Sequence, residues 1–245
     1  MIDLTNGLPD MATMPKEGFS RGGRHTRGFD MWLVDRQAPT PPEKLITDTV
    51  PFMQGNYDFS DILGERFYDN RTLSYVFEIK NRNYTNRKIV QTSLENWLMK
   101  DGFSDLYDDH AEGYYYKAKC THITTEDATG GLRVTVDFDA YPFKIGVLEE
   151  GHDIWDEFNF ELDASIVNEF SVAGTQQIDM YNIGSNSQAP ILITTAPMTI
   201  FKGGITYNVP SGRSQNDSFR LNMGSNPMTI TGNGLIKFEW HKELL

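Results

Sequence analysis

Apolar residues alternate with polar ones at a period of two over most of this 245-residue chain, and they fall at helical spacing in only one place. Leu73, Tyr75, Phe77 and Ile79 share one face of a strand predicted over Thr72 to Ile79. Val134, Val136 and Phe138 alternate with Arg133, Thr135 and Asp137 over Leu132 to Phe138. Tyr114 to Ile123 reads as the strand before it, with Thr129-Gly130-Gly131 as the hairpin loop between them. Shorter strands are predicted over Phe29 to Val34, Leu45 to Val50 and Tyr57 to Phe59, with another near Ile2 to Leu4. Pro39, Pro41 and Pro42 hold Gln37 to Lys44 extended. The one helical stripe is Val90, Leu94, Trp97 and Leu98, predicting a helix near residues 86–100 that Gly102 stops in a left-handed conformation.

Beyond residue 150 the pattern breaks into short strands separated by Gly, Asn and Ser, with no long helix. They are Phe158 to Leu162, Ser165 to Val172, Gln177 to Tyr181, Ile191 to Thr195, Met198 to Phe201, Ile205 to Val209, Phe219 to Leu221 and a closing hairpin. In that hairpin Met228-Thr229-Ile230 turns through Gly232-Asn233-Gly234 into a strand whose Ile236, Phe238 and Trp240 face one way. Such spacing predicts a β-sandwich. The fold class is therefore mainly β in two domains. Residues 1–148 form an N-terminal β-sandwich-like domain with one helix, and residues 149–245 a C-terminal β-sandwich. The charged run Glu149-Glu150-Gly151-His152-Asp153 marks the junction, and residues 1–28 read as a solvated loop.

Charge narrows the function. Thirty-four acids against 22 bases give a net charge of −12, which argues against a surface that grips nucleic acid but allows a channel through which DNA slides. Cys120 is the only cysteine, so neither an internal disulfide nor a cysteine zinc site can form, and it reads as a small apolar strand residue. No apolar run approaches 18 residues, and the N-terminus has no charged and apolar leader. The chain thus reads as soluble, made in the cytoplasm and not inserted in a membrane.

Candidate chemistry is sparse. There is no nucleophile elbow, P-loop, zinc-protease helix or dinucleotide fingerprint. His25, His110, His122, His152 and His241 are scattered without ligand spacing. Asp101, Asp105, Asp108, Asp109 and His110 could hold a hard cation, but the EF-hand order is absent and a solvated loop after the helix is the preferred reading. Asp153, Asp156, Glu157, Glu161 and Asp163 could contain a glycosidase pair, though acids are too frequent here for that to weigh. The chain is not expected to be an enzyme, and no catalytic, cofactor or metal residue is assigned. The alternative function is a carbohydrate-binding adhesion protein stacking sugars on Trp155, Tyr181, Tyr207 or Trp240. Against it, Trp240 alternates with Ile236 and Phe238 as a core-facing residue does.

Five phrases in order carry a resemblance: Val50-Pro51-Phe52-Met53-Gln54-Gly55-Asn56-Tyr57-Asp58-Phe59-Ser60; Phe67 to Phe77, with Arg71 before its alternating strand; Trp97-Leu98 leading to Tyr114-Tyr115-Tyr116-Lys117-Ala118; Asp139-Ala140-Tyr141-Pro142-Phe143-Lys144; and Asn226 to Phe238. Together they resemble the distal tail protein family, which builds the tail-tip hub of long non-contractile phage tails. The resemblance spans most of residues 29–245. It departs at residues 5–28, and the second domain has no inserted carbohydrate-binding module. What it implies is a hexameric ring made by the N-terminal domain and continuing the tail tube, with a galectin-like C-terminal domain pointing outward. The implied partners are further copies of the chain, the tail-tube protein above, tail-associated proteins below and receptor-binding or baseplate proteins outside. DNA would pass the lumen unbound, in a virion assembled in the bacterial host cytoplasm. Exposed strands and the segment Gln37 to Lys44 could supply one side of each ring contact.

Overall fold

The computed structural model of the chain describes residues 16–62, 64–80, 83–128, 130–151 and 167–245. In chain order the elements are β1 (Phe19–Arg21), β2 (Arg24–His25), a 3-10 turn (Thr26–Phe29), β3 (Met31–Gln37), β4 (Thr47–Asp48), β5 (Tyr57–Asp58), β6 (Arg71–Ile79), α1 (Tyr84–Leu98) and β7 (Ser104–Asp108). There follow β8 (Tyr114–Ala128), β9 (Gly131–Ala140), β10 (Lys144–Gly146), β11 (Glu169–Asn182), β12 (Ile191–Thr194), β13 (Met198–Lys202), β14 (Ile205–Val209), β15 (Gly212–Gln215), β16 (Gly224–Glu239) and β17 (Glu243–Leu244). Among the described residues the fold is mainly β with one α-helix, as the alternation predicts. Two compact units result. The first takes in the described residues up to Pro42, Tyr68–Glu112 and Tyr116–Pro142; the second takes in Glu43–Phe67, Gly113–Tyr115 and Phe143–Leu245.

The first unit is an antiparallel sheet in the order β2-β1-β7-β8-β9-β6-β3. Its centre is the β6–β9 ladder, from Arg71↔Ala140 to Ile79↔Leu132. The inward residues of that ladder, Leu73, Tyr75, Phe77, Val134, Val136 and Phe138, are all fully buried. Leu94, Trp97 and Leu98 of α1 join the same core, so the helical stripe packs as its spacing predicts. Asn83 starts the helix two residues earlier than predicted, because its side chain accepts from the N–H groups of Thr85 and Asn86. Met99 closes it in a right-handed conformation, so Gly102 is not the stop that its position suggested.

Two segments read as solvated loops belong to this sheet. Within residues 1–28, Phe19 and Arg21 on β1 are buried, and Phe19 meets Phe138 edge-to-face at a centroid distance of 5.1 Å and stacks on Trp97 at 5.9 Å. The Arg21 charge is turned inward: its guanidinium donates to the carbonyls of Leu98, Asp101 and Gly102, which are orphaned past the end of α1. The acidic segment after the helix is β7, paired with β1 and β8. The strand predicted near Ile2 lies outside the described residues.

The second unit is built on one long antiparallel pair. β11 and β16 match residue for residue from Glu169↔Lys237 to Asn182↔Gly224. The predicted closing hairpin therefore does not exist. Gly232-Asn233-Gly234 is the middle of a 16-residue strand, and the two strands predicted over Ser165 to Val172 and Gln177 to Tyr181 are one strand of 14. On its other edge β16 pairs with β12 through Thr194↔Ile236 and with β13 through Thr199↔Thr231, in a single register. The ladder is interrupted between them at Thr195 to Pro197, opposite the glycines; Pro197 has no N–H to offer it. β13 turns into β14 through Gly203-Gly204, whose φ angles of 58° and 83° suit a two-residue hairpin. β15 closes the edge beside β12, and β10 pairs with β17 and with Tyr114 and Tyr115.

Ile236, Phe238 and Trp240 face inward, at 0, 0 and 4% exposure, with Ile200, Ile230 and Phe219 around them. Phe219 and Leu221 are buried as their apolar character suggests, but the segment makes only a single bridge, Gln188↔Leu221, and no strand. The strand predicted over Phe158 to Leu162 lies outside the described residues.

Candidate functional site

The acidic cluster disperses when the chain folds. Asp108 points inward and accepts from Arg36 Nε at 2.6 Å, from the Tyr75 hydroxyl at 2.7 Å and, on its other oxygen, from the His110 N–H at 2.9 Å. Asp109 turns instead to His25 Nε2 at 3.0 Å and to the Gly18 N–H at 2.9 Å. Asp101 and Asp105 are exposed, and His110 pairs with Glu17 at 3.1 Å. Burial works against the Arg36 charge, yet the Asp108 carboxylate raises the guanidinium above its ordinary pKa. Burial first, and the Asp108 charge second, push the Tyr75 phenol well above its ordinary range. Both oxygens of the buried Asp108 carboxylate are thus engaged within the fold. Among the described residues, no group of three His, Cys, Asp or Glu side chains is placed to hold a metal ion. No helix among them is long and apolar enough to cross a membrane.

The aromatic candidates do not assemble into a platform. Trp240 is in the core, Tyr207 packs on Phe219 at 5.1 Å with its hydroxyl donating to the Ser218 carbonyl, and Tyr181 stands half exposed by itself. Trp155 lies outside the described residues, as do His152, Asp153, Asp156, Glu157, Glu161 and Asp163. Cys120 sits on β8 at 8% exposure, and burial pushes its thiol up to about 11. At pH 8 the folded protein is expected to react with Ellman's reagent many-fold more slowly than the same protein in guanidinium, where the thiol reverts to its ordinary pKa.

What the structure does gather is apolar surface. Residues 43–67 form an arm whose only strands, among the described residues, are the two-residue pair β4 and β5. Leu45, Ile46, Val50, Phe52, Tyr57 and Ile62 are each about half exposed or more, and Phe52 is completely exposed. The base of the arm is fixed. Glu43 accepts from Arg66, the Lys44 N–H donates to the Phe67 carbonyl at 2.9 Å, and the Glu65 carboxylate accepts from the N–H and hydroxyl of buried Ser187 at 3.1 and 2.8 Å. Higher up, Ser60 donates its N–H to Asp58, and its hydroxyl accepts from the Ile46 N–H. At the first turn the Met53 N–H donates to the Val50 carbonyl, with Pro51 and Phe52 at the corners. Phe52 has a φ of 69°, a value normally left to glycine at that turn position. The sequence signals this arm only indirectly. Its apolar residues are as frequent as in a core strand, but nothing in the sequence offers them a partner of matching length.

Comparison with solved structures places this architecture. The chain aligns over 93% of its length with 99% of the SPP1 Dit protein, a hub adsorption protein of phages infecting Gram-positive hosts, at a TM-score of 0.63 and 11% identity. The fold is that of SPP1 Dit. Two chains of the phage p2 baseplate in its activated conformation, solved with Sr and with Ca, align at TM-scores of 0.37 and 0.38 and 9% identity. They cover 87% and 88% of this chain and 90% and 91% of their own, and the fold assignment rests on SPP1 Dit alone. No protein-family model matches the chain, and no curated protein matches it by sequence. The fold is thus shared with SPP1 Dit at an identity of only 11%.

Proposed function

We propose that the chain is a structural protein of a phage tail tip, a ring hub joining the tail tube to the baseplate and anchoring receptor-binding or baseplate proteins. The Dit fold and the five ordered phrases support the class of function; the exposed apolar arm supports the assembly. A monomer that leaves six large apolar side chains of one short segment in water has a surface suited to a partner. The partner proposed is a second copy of the chain. An arm on one side of a subunit and its acceptor on another make a head-to-tail contact, which closes into a ring, here of six copies. The ring-forming part is assigned to residues 1–148 and the outward-facing part to residues 149–245, with DNA passing the lumen unbound. Its place is the virion tail, assembled in the host cytoplasm, between tail-tube protein on one side and tail-associated proteins on the other, with no enzymatic role.

Light scattering and negative-stain microscopy test this. The expected species is a closed ring of six times the 27.9 kDa chain mass. The double variant Phe52→Ser, Ile62→Ser is expected to dissociate it into folded subunits with unchanged far-UV circular dichroism, since both side chains are in water in the single chain. A wild-type monomer at every concentration overturns the autonomous ring, and a ring that survives the double variant removes the arm from its interface.

A further inference from the structure

β13 accompanies β16 only as far as the Phe201↔Thr229 rung and then turns at Gly203-Gly204. β16 runs on to Gly224 against β11. Where the sheet splits, it leaves a shallow cleft of about 500 Å³, within the range of small-ligand sites. Gln177, Asp179, Phe201, Gly203, Pro227 and Thr229 line it, together with buried Ile178 and Met228.

The lining has a particular chemistry. Phe201 is 51% exposed. Asp179 is held in place from behind: one carboxylate oxygen accepts from the Asn226 N–H at 2.7 Å, the other from the Ser225 hydroxyl at 2.6 Å. A carboxylate has about four acceptor positions, so each oxygen keeps capacity toward the cleft. The Gln177 amide and the Thr229 hydroxyl make no side-chain hydrogen bond to the described residues. No Lys or Arg lines the cleft. The adjacent Lys202 is occupied, its ammonium donating to the Arg220 carbonyl at 2.7 Å.

We propose that this cleft binds a neutral saccharide, a function separate from ring assembly. A pyranose presents a C–H face that stacks on an aromatic ring and a rim of hydroxyls, each both donor and acceptor. Phe201 supplies the face, Asp179 a fixed acceptor, Gln177 donors and an acceptor, and Thr229 either. A purely apolar ligand would desolvate the Asp179 carboxylate without replacing its hydrogen bonds. An anionic polymer would meet that charge with no cation to offset it.

Saturation-transfer NMR on the full-length protein decides the matter, with galactose, glucose and N-acetylglucosamine as neutral probes and N-acetylneuraminic acid and glycerol phosphate as anionic ones. Transfer to at least one neutral sugar is expected, abolished by Phe201→Ala and weakened about tenfold by Asp179→Asn, as the loss of one well-placed hydrogen bond to a charge would give. Leu235→Ala, on the same face but away from the cleft, is expected to leave it unchanged. All three positions are exposed, and equal melting temperatures would show that the variants fold. No transfer to any neutral sugar, equal transfer to the anions, or transfer that survives Phe201→Ala overturns the proposal.

Discussion

Asp108→Ala is expected to cost about 3–5 kcal/mol of stability, the range for removing one partner of a buried ion pair. For a chain of this size that corresponds to a fall of roughly 10 °C in the melting temperature of the first unit. The reason is what stays behind. Asp108 has a fully buried side chain and gathers three donors: the Arg36 guanidinium, the Tyr75 hydroxyl and the His110 N–H. Without the carboxylate, Arg36 keeps a charge that burial disfavours, and Tyr75, at the centre of the aromatic cluster with Phe19 and Phe138, keeps an unpaired hydroxyl. Two milder changes sharpen the test. Asp108→Asn retains an acceptor and is expected to lose less than half as much. Tyr75→Phe removes one donor and leaves the Arg36 pair intact, so about 1 kcal/mol is expected. Calorimetry that found Asp108→Ala within 1–2 °C of wild type would mean that Arg36 reaches water when its partner is removed.

That cluster also shows where sequence reading stops. β6, β9 and the stripe of α1 are legible because alternation at two or at 3.6 residues reports burial directly when the inward residues are apolar. β7 and β1 obey the same geometry with a charge at an inward position: Leu106 and Asp108 on one, Phe19 and Arg21 on the other. An inward aspartate reads as a loop residue until its partner is known, and Arg36 lies 72 positions away. The arm at residues 43–67 inverts the problem. Its apolar residues read as strands heading for a core, and the structure leaves them in water. Periodicity cannot tell a side chain destined for its own interior from one available to another molecule. The ordered phrases resemble a whole arrangement instead, the architecture that SPP1 Dit displays.

The glycines of β16 give the second large effect, and they separate two readings of one tripeptide. As a hairpin turn, Gly232-Asn233-Gly234 would need positive φ at its centre. As strand, it needs glycine because something lies against it. Gly232 and Gly234 have φ angles of 154° and 142°, extended values on the side of the map that side chains avoid. A Cβ on Gly234 would stand 2.3 Å from Thr195 Oγ1. That hydroxyl cannot swing away freely, because it accepts the Leu235 N–H at 2.8 Å while the Thr195 N–H donates to the Leu235 carbonyl at 3.0 Å. A Cβ on Gly232 would meet Met198 Cγ at 2.7 Å and its Cα at 3.3 Å, within a core residue 3% exposed. The glycines thus let the interrupted β12–β13 edge cross close over β16. Gly234→Ala is expected to cost about 2–5 kcal/mol, combining backbone strain with overpacking, read as a shift in the urea midpoint of the second unit. Asn233→Thr discriminates. A β-branched residue is unfavourable in a tight turn but suited to a strand. Asn233 gives up only an exposed bond from the Gly174 N–H, so a change within about 1 kcal/mol is expected. If Asn233→Thr proved as damaging as Gly234→Ala, the chain would be turning at this point, and the long β11–β16 pair that organises the second unit could not form.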